Sequence, residues 1–395
     1  MFSKKPLSLL LAIVLIFSFA GTAFSYDQQK FDGSNWMSAV DGSKKITQIN
    51  MPATHDSATR NVDAALTSQT QKLAITEQLY AGVRFLDIRA KQTKKDFISV
   101  HGISTNRQAL GLFAKELTVG NIIDKCKAFL QNNPGETILF KLKEESSHSS
   151  KENFYTDFYN KYIKNDAESW FIQNRIPSLD EVRGKIVLLR HTSIDTTLFD
   201  DTNCGINFSS YPYIEKKIVG CFEDSYITPI AFQAKLDEFE EAEVELEDEE
   251  YEELESSYAY ASMLVEDAYK LSAKNKIEAV KMYLDQDLTE DENRFDICFT
   301  NSAFAGFPEK NAFKINKALA NYDFVSGKHY GIVGLDFASA ELCQTIYMTN
   351  EPSMTNIPNE ATTGESPYSV YGFLGEFIDQ MNRLIFNIFT LFQTF

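Results

Sequence analysis

Two histidines in this chain stand where residue type and setting could do acid–base chemistry. His55 lies in Met51-Pro-Ala-Thr-His-Asp-Ser57 and His101 in Phe97-Ile-Ser-Val-His-Gly102. Each ends a short apolar run beside small or acidic residues, and only five histidines occur in 395 residues. Imidazole titrates near neutrality, so two such rings can act as general base and general acid on one substrate. Between them lies Gly82-Val-Arg-Phe-Leu-Asp-Ile-Arg89, and beyond them Glu136-Thr-Ile-Leu-Phe-Lys-Leu-Lys-Glu-Glu145. The plainer reading is a pair of satisfied core imidazoles, and the flanking acids weigh against it.

The elements that must position these groups read as alternating strands and helices. Apolar β-type runs fall at 47–51, 84–89, 97–101, 137–143, 185–190, 220–223, 296–300 and 330–335. Helical spacing of apolar positions appears at 112–132 and 261–284. Near-continuous apolar strands alternating with helices imply parallel strands buried on both faces. The pattern predicts an α/β fold, an irregular (β/α) barrel, with its chemistry at the carboxyl ends of the strands.

Composition narrows the partners. Hydrophobic residues make up 44% of the chain and the net charge is −18, so a sizeable core is available and nucleic acid is disfavoured as a partner. Thirteen carboxylates and no base lie within 237–255, the mark of a solvated acidic helix or loop. Residues 1–25 read as a signal peptide: Lys4 and Lys5 precede a short apolar run, and Ala23-Phe-Ser25 suits cleavage. A secreted barrel is expected over 26–350 with an acidic insert at 237–257, then a linker at 351–369. Apolar residues at three- and four-residue steps over 370–395 predict an amphipathic helix, which lies in a lipid interface or packs on the barrel or a second subunit. The five cysteines show no metal-ligand spacing; Cys204 and Cys221 either pair or stay as free thiols.

Five motifs in order carry a family resemblance. Trp36-Met37, Ile49-Asn-Met-Pro-Ala-Thr-His-Asp-Ser57, Phe85-Leu-Asp-Ile-Arg89, Val100-His-Gly102 and Glu136-Thr-Ile-Leu139 with Leu142-Lys-Glu144 resemble the X domain of phosphatidylinositol-specific phospholipases C, bacterial secreted type. Arg183-Gly-Lys-Ile-Val-Leu-Leu189, Glu223-Asp-Ser-Tyr226 and Gly331-Ile-Val-Gly-Leu-Asp336 look like later blocks of the same family. The resemblance implies a distorted TIM barrel. It also implies cleavage of phosphatidylinositol to diacylglycerol and a 1,2-cyclic inositol phosphate, at a membrane surface and by a monomer, with glycosyl-phosphatidylinositol anchors as further substrates. Internal attack by a ring hydroxyl needs a base, a cation for the phosphorane oxygens and an acid for the departing alkoxide. His55 takes the first role, Arg89 the second, through its planar fork, and His101 the third.

The same resemblance pairs Asp336 with the base histidine and sets Asp56 and Asp87 near the acid histidine and the arginine. Asp56 could instead cap the following turn, and Asp87 could hold Arg89 in a salt bridge. Lys143, Asp224 and Tyr226 match positions that hold the inositol ring, and either Arg190 or His191 fills the family's arginine after 185–189. Lys141 shares the face of Lys143 if the strand is regular. Arg89 stands where calcium-dependent relatives want a ligand, so no metal and no other cofactor is expected. A phosphodiesterase for another head group and a non-catalytic module binding inositol lipids are the rival readings.

Overall fold

The computed structural model describes residues 33–110, 114–145, 151–215 and 217–350. The chain runs through β1 (Met51–Thr54), β2 (Phe85–Gln92), β3 (Phe97–His101), β4 (Ser104–Thr105), β5 (Ile138–Glu144), β6 (Trp170–Phe171) and β7 (Ile186–His191). It continues through β8 (Ile206–Asn207), β9 (Glu223–Ile227), β10 (Ala261–Glu266), β11 (Arg294–Phe299) and β12 (Ile332–Leu335). Seven strands pair in parallel in the order β7-β5-β2-β1-β12-β11-β10. The sheet curls into a distorted TIM barrel that stays open between β8, on the free edge of β7, and β9, antiparallel on β10.

Side chains bridge that opening. Asn174 Nδ2 donates to Thr228 O (3.0 Å), while its Oδ1 accepts from Asn207 N (2.9 Å) and from the Tyr260 hydroxyl (2.6 Å). Asn207 Nδ2 donates to the same Thr228 carbonyl at 3.3 Å. An amide carries donors and an acceptor in one plane, so two asparagines stand in for part of a missing ladder.

Alternation along each strand divides the core in two. Met51, Ala53, Phe85, Leu139, Val187, Met263, Val265, Phe295, Ile297 and Ile332 meet inside the barrel. Leu86, Ile88, Phe140, Leu142, Leu188, Val333 and Leu335 point outward, onto helices such as Val119–Asn132 and Ala273–Leu284. Burial on both faces is why these strands read as unbroken apolar runs. The register then sets three rows on the inner face: Phe85–Leu139–Val187, Asp87–Lys141–Leu189 and Arg89–Lys143–His191. Toward the carboxyl ends the barrel lining therefore turns from apolar to charged within two rows.

Three sequence expectations need correction. The stretch 261–284 is not one helix: its first six residues are β10, and the helix begins at Ala273 with the Ser272 hydroxyl accepting from Asn275 N. A short apolar run suits either state by periodicity alone. The run 97–101 is a strand, but it folds back antiparallel on β2 (Ala90↔Ser99) instead of joining the barrel wall. The run at 220–223 shifts to β9, an edge strand. The acidic insert forms two helices, Ile230–Glu241 and Asp248–Tyr258, joined by Phe232 against Tyr251 and Tyr258. All five cysteines are free, so Cys204 and Cys221 do not pair. Among the described residues no helix is long and apolar enough to cross a membrane. The expected signal peptide, linker and C-terminal helix lie outside the described residues.

Candidate active site

β1 ends at Thr54, and the next residue, His55, stands on the inner parity at the barrel mouth. Buried Gln71 fixes this point by donating to both His55 O (2.9 Å) and Leu335 O (2.7 Å), which ties the ends of β1 and β12. Gly334 of β12 has no side chain because a Cβ there would fall 2.2 Å from the Phe299 ring. That ring in turn abuts His55 edge-on, with centroids 5.8 Å apart. His55 Nδ1 meets Asp336 Oδ1 at 2.9 Å. Its Nε2 faces two donors, Arg89 Nη2 at 3.1 Å and Asn301 Nδ2 at 3.3 Å. When the ring is neutral, a proton on Nδ1 toward Asp336 leaves Nε2 as an acceptor, the form a general base needs.

His101 has the opposite surroundings. The β3 hairpin carries it back over the mouth, where Nδ1 donates to the Ser68 carbonyl (2.8 Å) and Nε2 lies 3.3 Å from Asp56 Oδ2. Both partners are acceptors, so a doubly protonated ring fits and can act as an acid. Asp56 links the two histidines, since the same Oδ2 is 3.3 Å from His55 Nε2. Its Oδ1 holds Arg89 Nε at 2.7 Å. Asp56 adopts a left-handed backbone (φ 43°), a strained conformation that Asp tolerates better than most residues. Arg89 also reaches Asp87 Oδ2 at 3.4 Å, and Lys141 Nζ reaches the other Asp87 oxygen at 3.4 Å.

Electrostatics follow from this packing. Burial resists a charge on His55, but Asp56 and Asp336 outweigh it and push the ring up to about 9. Burial likewise favours protonated Asp56 and Asp87. The cations outweigh it, and both carboxyls are held below the usual range, Asp56 chiefly by Arg89 and Asp87 by Lys141 and Arg89. Asp336 is raised by burial. His191, buried and then repelled by Lys141 and Lys143, is pushed down to about 2 and stays neutral. His55, Asp56 and Asp87 place ligand atoms within 4.8 Å of one another, a grouping that could hold a metal ion. Arg89 and Lys141 already pair with those carboxylates, and two fixed cations oppose a third.

A cavity of about 390 Å³ opens on these groups, lined by His55, Arg89, His101, Lys141, Lys143 and Asp336 among others. Lys141, left open by the sequence, points inside, with its ammonium 3.7 Å from the Tyr211 ring centroid. His191 lines the cavity and Arg190 does not. Strand parity turns Arg190 outward, where it donates to Cys204 O (3.0 Å), Ser209 Oγ (3.0 Å) and Thr192 O. Asp224 and Tyr226 are exposed on edge strand β9, away from the cavity. The residues in the matching place are Asp267 and Tyr269, just after β10, which line the cavity with Tyr211, Tyr213 and Asn301. Glu223-Asp-Ser-Tyr226 and Glu266-Asp-Ala-Tyr269 share one pattern. Both follow short apolar stretches, 218–222 and 261–265, so the sequence does not separate them; the second follows a strand paired in parallel in the barrel wall. Asp267 Oδ1 and Asn301 Oδ1 are buried without a hydrogen-bond partner.

The phosphatidylinositol-specific phospholipase C, X domain, family model matches residues 49–192. Among curated proteins, the 1-phosphatidylinositol phosphodiesterase of Staphylococcus aureus strain NCTC 8325 is 30% identical over 227 residues, 54% of this chain and 66% of that protein. The protein of the same name from Listeria monocytogenes is 30% identical over 208 residues, 47% of this chain and 60% of that protein. The chain thus spans somewhat under two thirds of the length of these relatives. Among solved structures, a phosphatidylinositol-specific phospholipase C from S. aureus superposes with a TM-score of 0.59 at 21% identity, covering 80% of this chain and 97% of that one. The L. monocytogenes enzyme gives 0.55 at 20% identity, covering 81% and 99%. At this identity the superpositions speak for the fold, a distorted TIM barrel. The family shown by these matches is that of the phosphatidylinositol-specific phospholipase C X domain, over residues 49–192.

Proposed function

We propose that the protein is a secreted phosphatidylinositol phosphodiesterase of the phospholipase C type. One observation carries the reading: His55, His101 and Arg89 converge on Asp56 at the mouth of one polar cavity. His55 Nε2 takes the proton from the ring hydroxyl next to the phosphodiester, and that oxygen attacks phosphorus. Asp336 steadies the imidazolium that forms. Arg89, with Lys141 behind it, stabilises the charge on the phosphorane oxygens. His101 protonates the departing diacylglycerol oxygen, leaving a 1,2-cyclic inositol phosphate.

The cavity wall suits a polyol. Asp267 and Asn301 offer unpartnered acceptors, Lys143 offers donors, and ring hydroxyls can serve both. Tyr211 and Tyr269 supply flat surfaces for the ring. Lys143 keeps the ring-holding role expected from the sequence, Asp267 and Tyr269 take the one expected of Asp224 and Tyr226, and His191 replaces Arg190. The reaction runs without a divalent cation, because Arg89 and Lys141 occupy the carboxylates that would bind one. Incubating the protein with phosphatidylinositol and EDTA, then recording ³¹P NMR, tests this directly. A cyclic phosphate signal is expected; intact lipid in EDTA with turnover restored by Ca²⁺ refutes the metal-free step, and no turnover under either condition refutes the activity.

A further inference from the structure

Four cationic side chains are buried among the described residues, Arg84, Lys141, Arg190 and Lys276, each at most 4% exposed. Three of them have a carboxylate in reach: Arg84 pairs with Glu136 at 2.7 Å, Lys141 with Asp87 at 3.4 Å and Lys276 with Glu266 at 2.6 Å. Arg190 is the exception. Its Nε and Nη1 donate to Cys204 O, Thr192 O and Ser209 Oγ, all neutral, and its Nη2 forms no hydrogen bond among the described residues. Burial pushes this guanidinium below its usual value, and no carboxylate stands among the neighbours that offset the burial. A charge held out of water in this way calls for a counter-charge.

The space beside Arg190 suits an anion. A second cavity, of about 210 Å³, lies between the end of β7 and the start of the helix Ile230–Glu241, lined by Arg190, Thr192, Asn207, Ser209 and Gln233 among others. No described carboxylate lines it, in a chain that carries 56 of them. Pro229 and Ile230 also line it, so the amino end of that helix faces the same space, and its first turn holds no acid. Helix amides and the helix dipole favour negative charge at such an end. The carboxylates nearby are held by neutral donors: Asp201 accepts from Ile230 N (2.9 Å), Glu144 from Thr192 Oγ1 (2.9 Å) and Asp237 from Gln233 Nε2 (3.0 Å). None of the three pairs with Arg190.

We infer that this cavity is a binding site for a phosphate group, held by Arg190 Nη2, the Ser209 hydroxyl and the amino end of the helix Ile230–Glu241. Donors arriving from three directions match a tetrahedral oxyanion better than a planar carboxylate. The volume admits free phosphate or the phosphate of a small monoester. His191 is a wall of both cavities, but Arg190 lies on the face of β7 turned away from the reacting groups. The site is therefore separate from the catalytic one, and the inference stands without the phospholipase reading.

Isothermal titration of the full-length protein with inorganic phosphate, at ionic strength fixed with NaCl, tests it against Ser209→Asp. Ser209 is exposed and lies 3.0 Å from Arg190 Nη1, so Ser209→Asp seats the missing carboxylate without disturbing the core. Phosphate binding at this site weakens about 10–100-fold in the variant. Any phosphate taken up beside Arg89 is common to both proteins and drops out of the difference. In thermal melts without phosphate Ser209→Asp unfolds above the wild type, and added phosphate raises the wild type more than the variant. A cooperative melt also reports that the variant folds. Glycerol phosphate, titrated in parallel, tells the sources apart: binding tighter than inorganic phosphate marks a monoester site, and weaker binding a free-ion site. Identical phosphate isotherms for the two proteins overturn the site, whatever the melts show. A difference between them in a protein that turns over no inositol lipid leaves the site standing and refutes the activity alone.

Discussion

His55 and His101 share one oxygen of Asp56, so in the proposed mechanism each ring's loss disables the same coordinated proton transfer. His55→Ala and His101→Ala should each lower kcat about 10²–10⁴-fold, with the double variant little worse than either. Multiplicative losses in steady-state turnover of phosphatidylinositol would show that the two rings act in separate steps. Arg89→Lys keeps a charge but loses the fork that spans Asp56 and Asp87, so it too should be severely impaired. Asp336 gives a sharper test because its effect has a sign. His55 works as a base only when neutral, and the carboxylates beside it raise it to about 9. The acid limb of kcat/KM should therefore rise with pH toward that value, and Asp336→Asn should move it to lower pH while lowering the plateau. An unmoved limb would detach His55 from the base role.

At the scale of elements, strand parity decides which neighbours act. Arg190 and His191 are adjacent, yet only His191 lines the cavity. Arg190→Met should destabilise the fold by about 1–3 kcal/mol, because it strands the buried carbonyl of Cys204, and should leave KM unchanged for molecules that fold. Urea unfolding beside steady-state kinetics separates the two effects; a raised KM at wild-type stability would put Arg190 in the site. The two Glu-Asp-x-Tyr segments divide in the same way. Asp267→Asn and Tyr269→Phe should raise KM, whereas Asp224→Ala and Tyr226→Ala should behave as wild type. Glu266, one residue before Asp267, points outward into a fully buried pair with Lys276 at 2.6 Å. Lys276→Met should cost about 3–5 kcal/mol by leaving that carboxylate unpaired.

The whole molecule should respond to pH through two half-buried histidines with opposite shifts. His191 is held to about 2 in the folded chain against an ordinary 6.5. The unfolded chain therefore binds a proton below 6.5 that the folded chain refuses, and stability falls as pH drops from 6.5. His55 is raised to about 9, so its contribution is complete below 6.5 and is lost as pH climbs through 9. Thermal melts across pH 4–10 (roughly the span set by these groups) should show His191→Gln losing less stability than wild type on acidification. Equal acid sensitivity would mean that His191 is already charged in the fold.

Much of this protein is legible without coordinates. Unbroken apolar runs marked most of the parallel strands, because burial on both faces removes polar residues locally. The motifs around His55, Arg89 and His101 marked side chains that meet at the cavity mouth, because each lies in a short contiguous segment. Tertiary structure alone settled the phase of each strand. Alternation says that Lys141 and Lys143 share a face, or that Arg190 and His191 do not, but only pairing with a neighbour says which face is inside. It also separated Asp267 and Tyr269 from their look-alikes in β9, which pairs antiparallel at the sheet's edge. Backbone partners such as the Ser68 carbonyl, which sets the proton on His101, leave no mark in a side-chain pattern. The asparagines that span the open seam of the barrel were likewise silent in the sequence, because their role exists only once distant strands fail to meet.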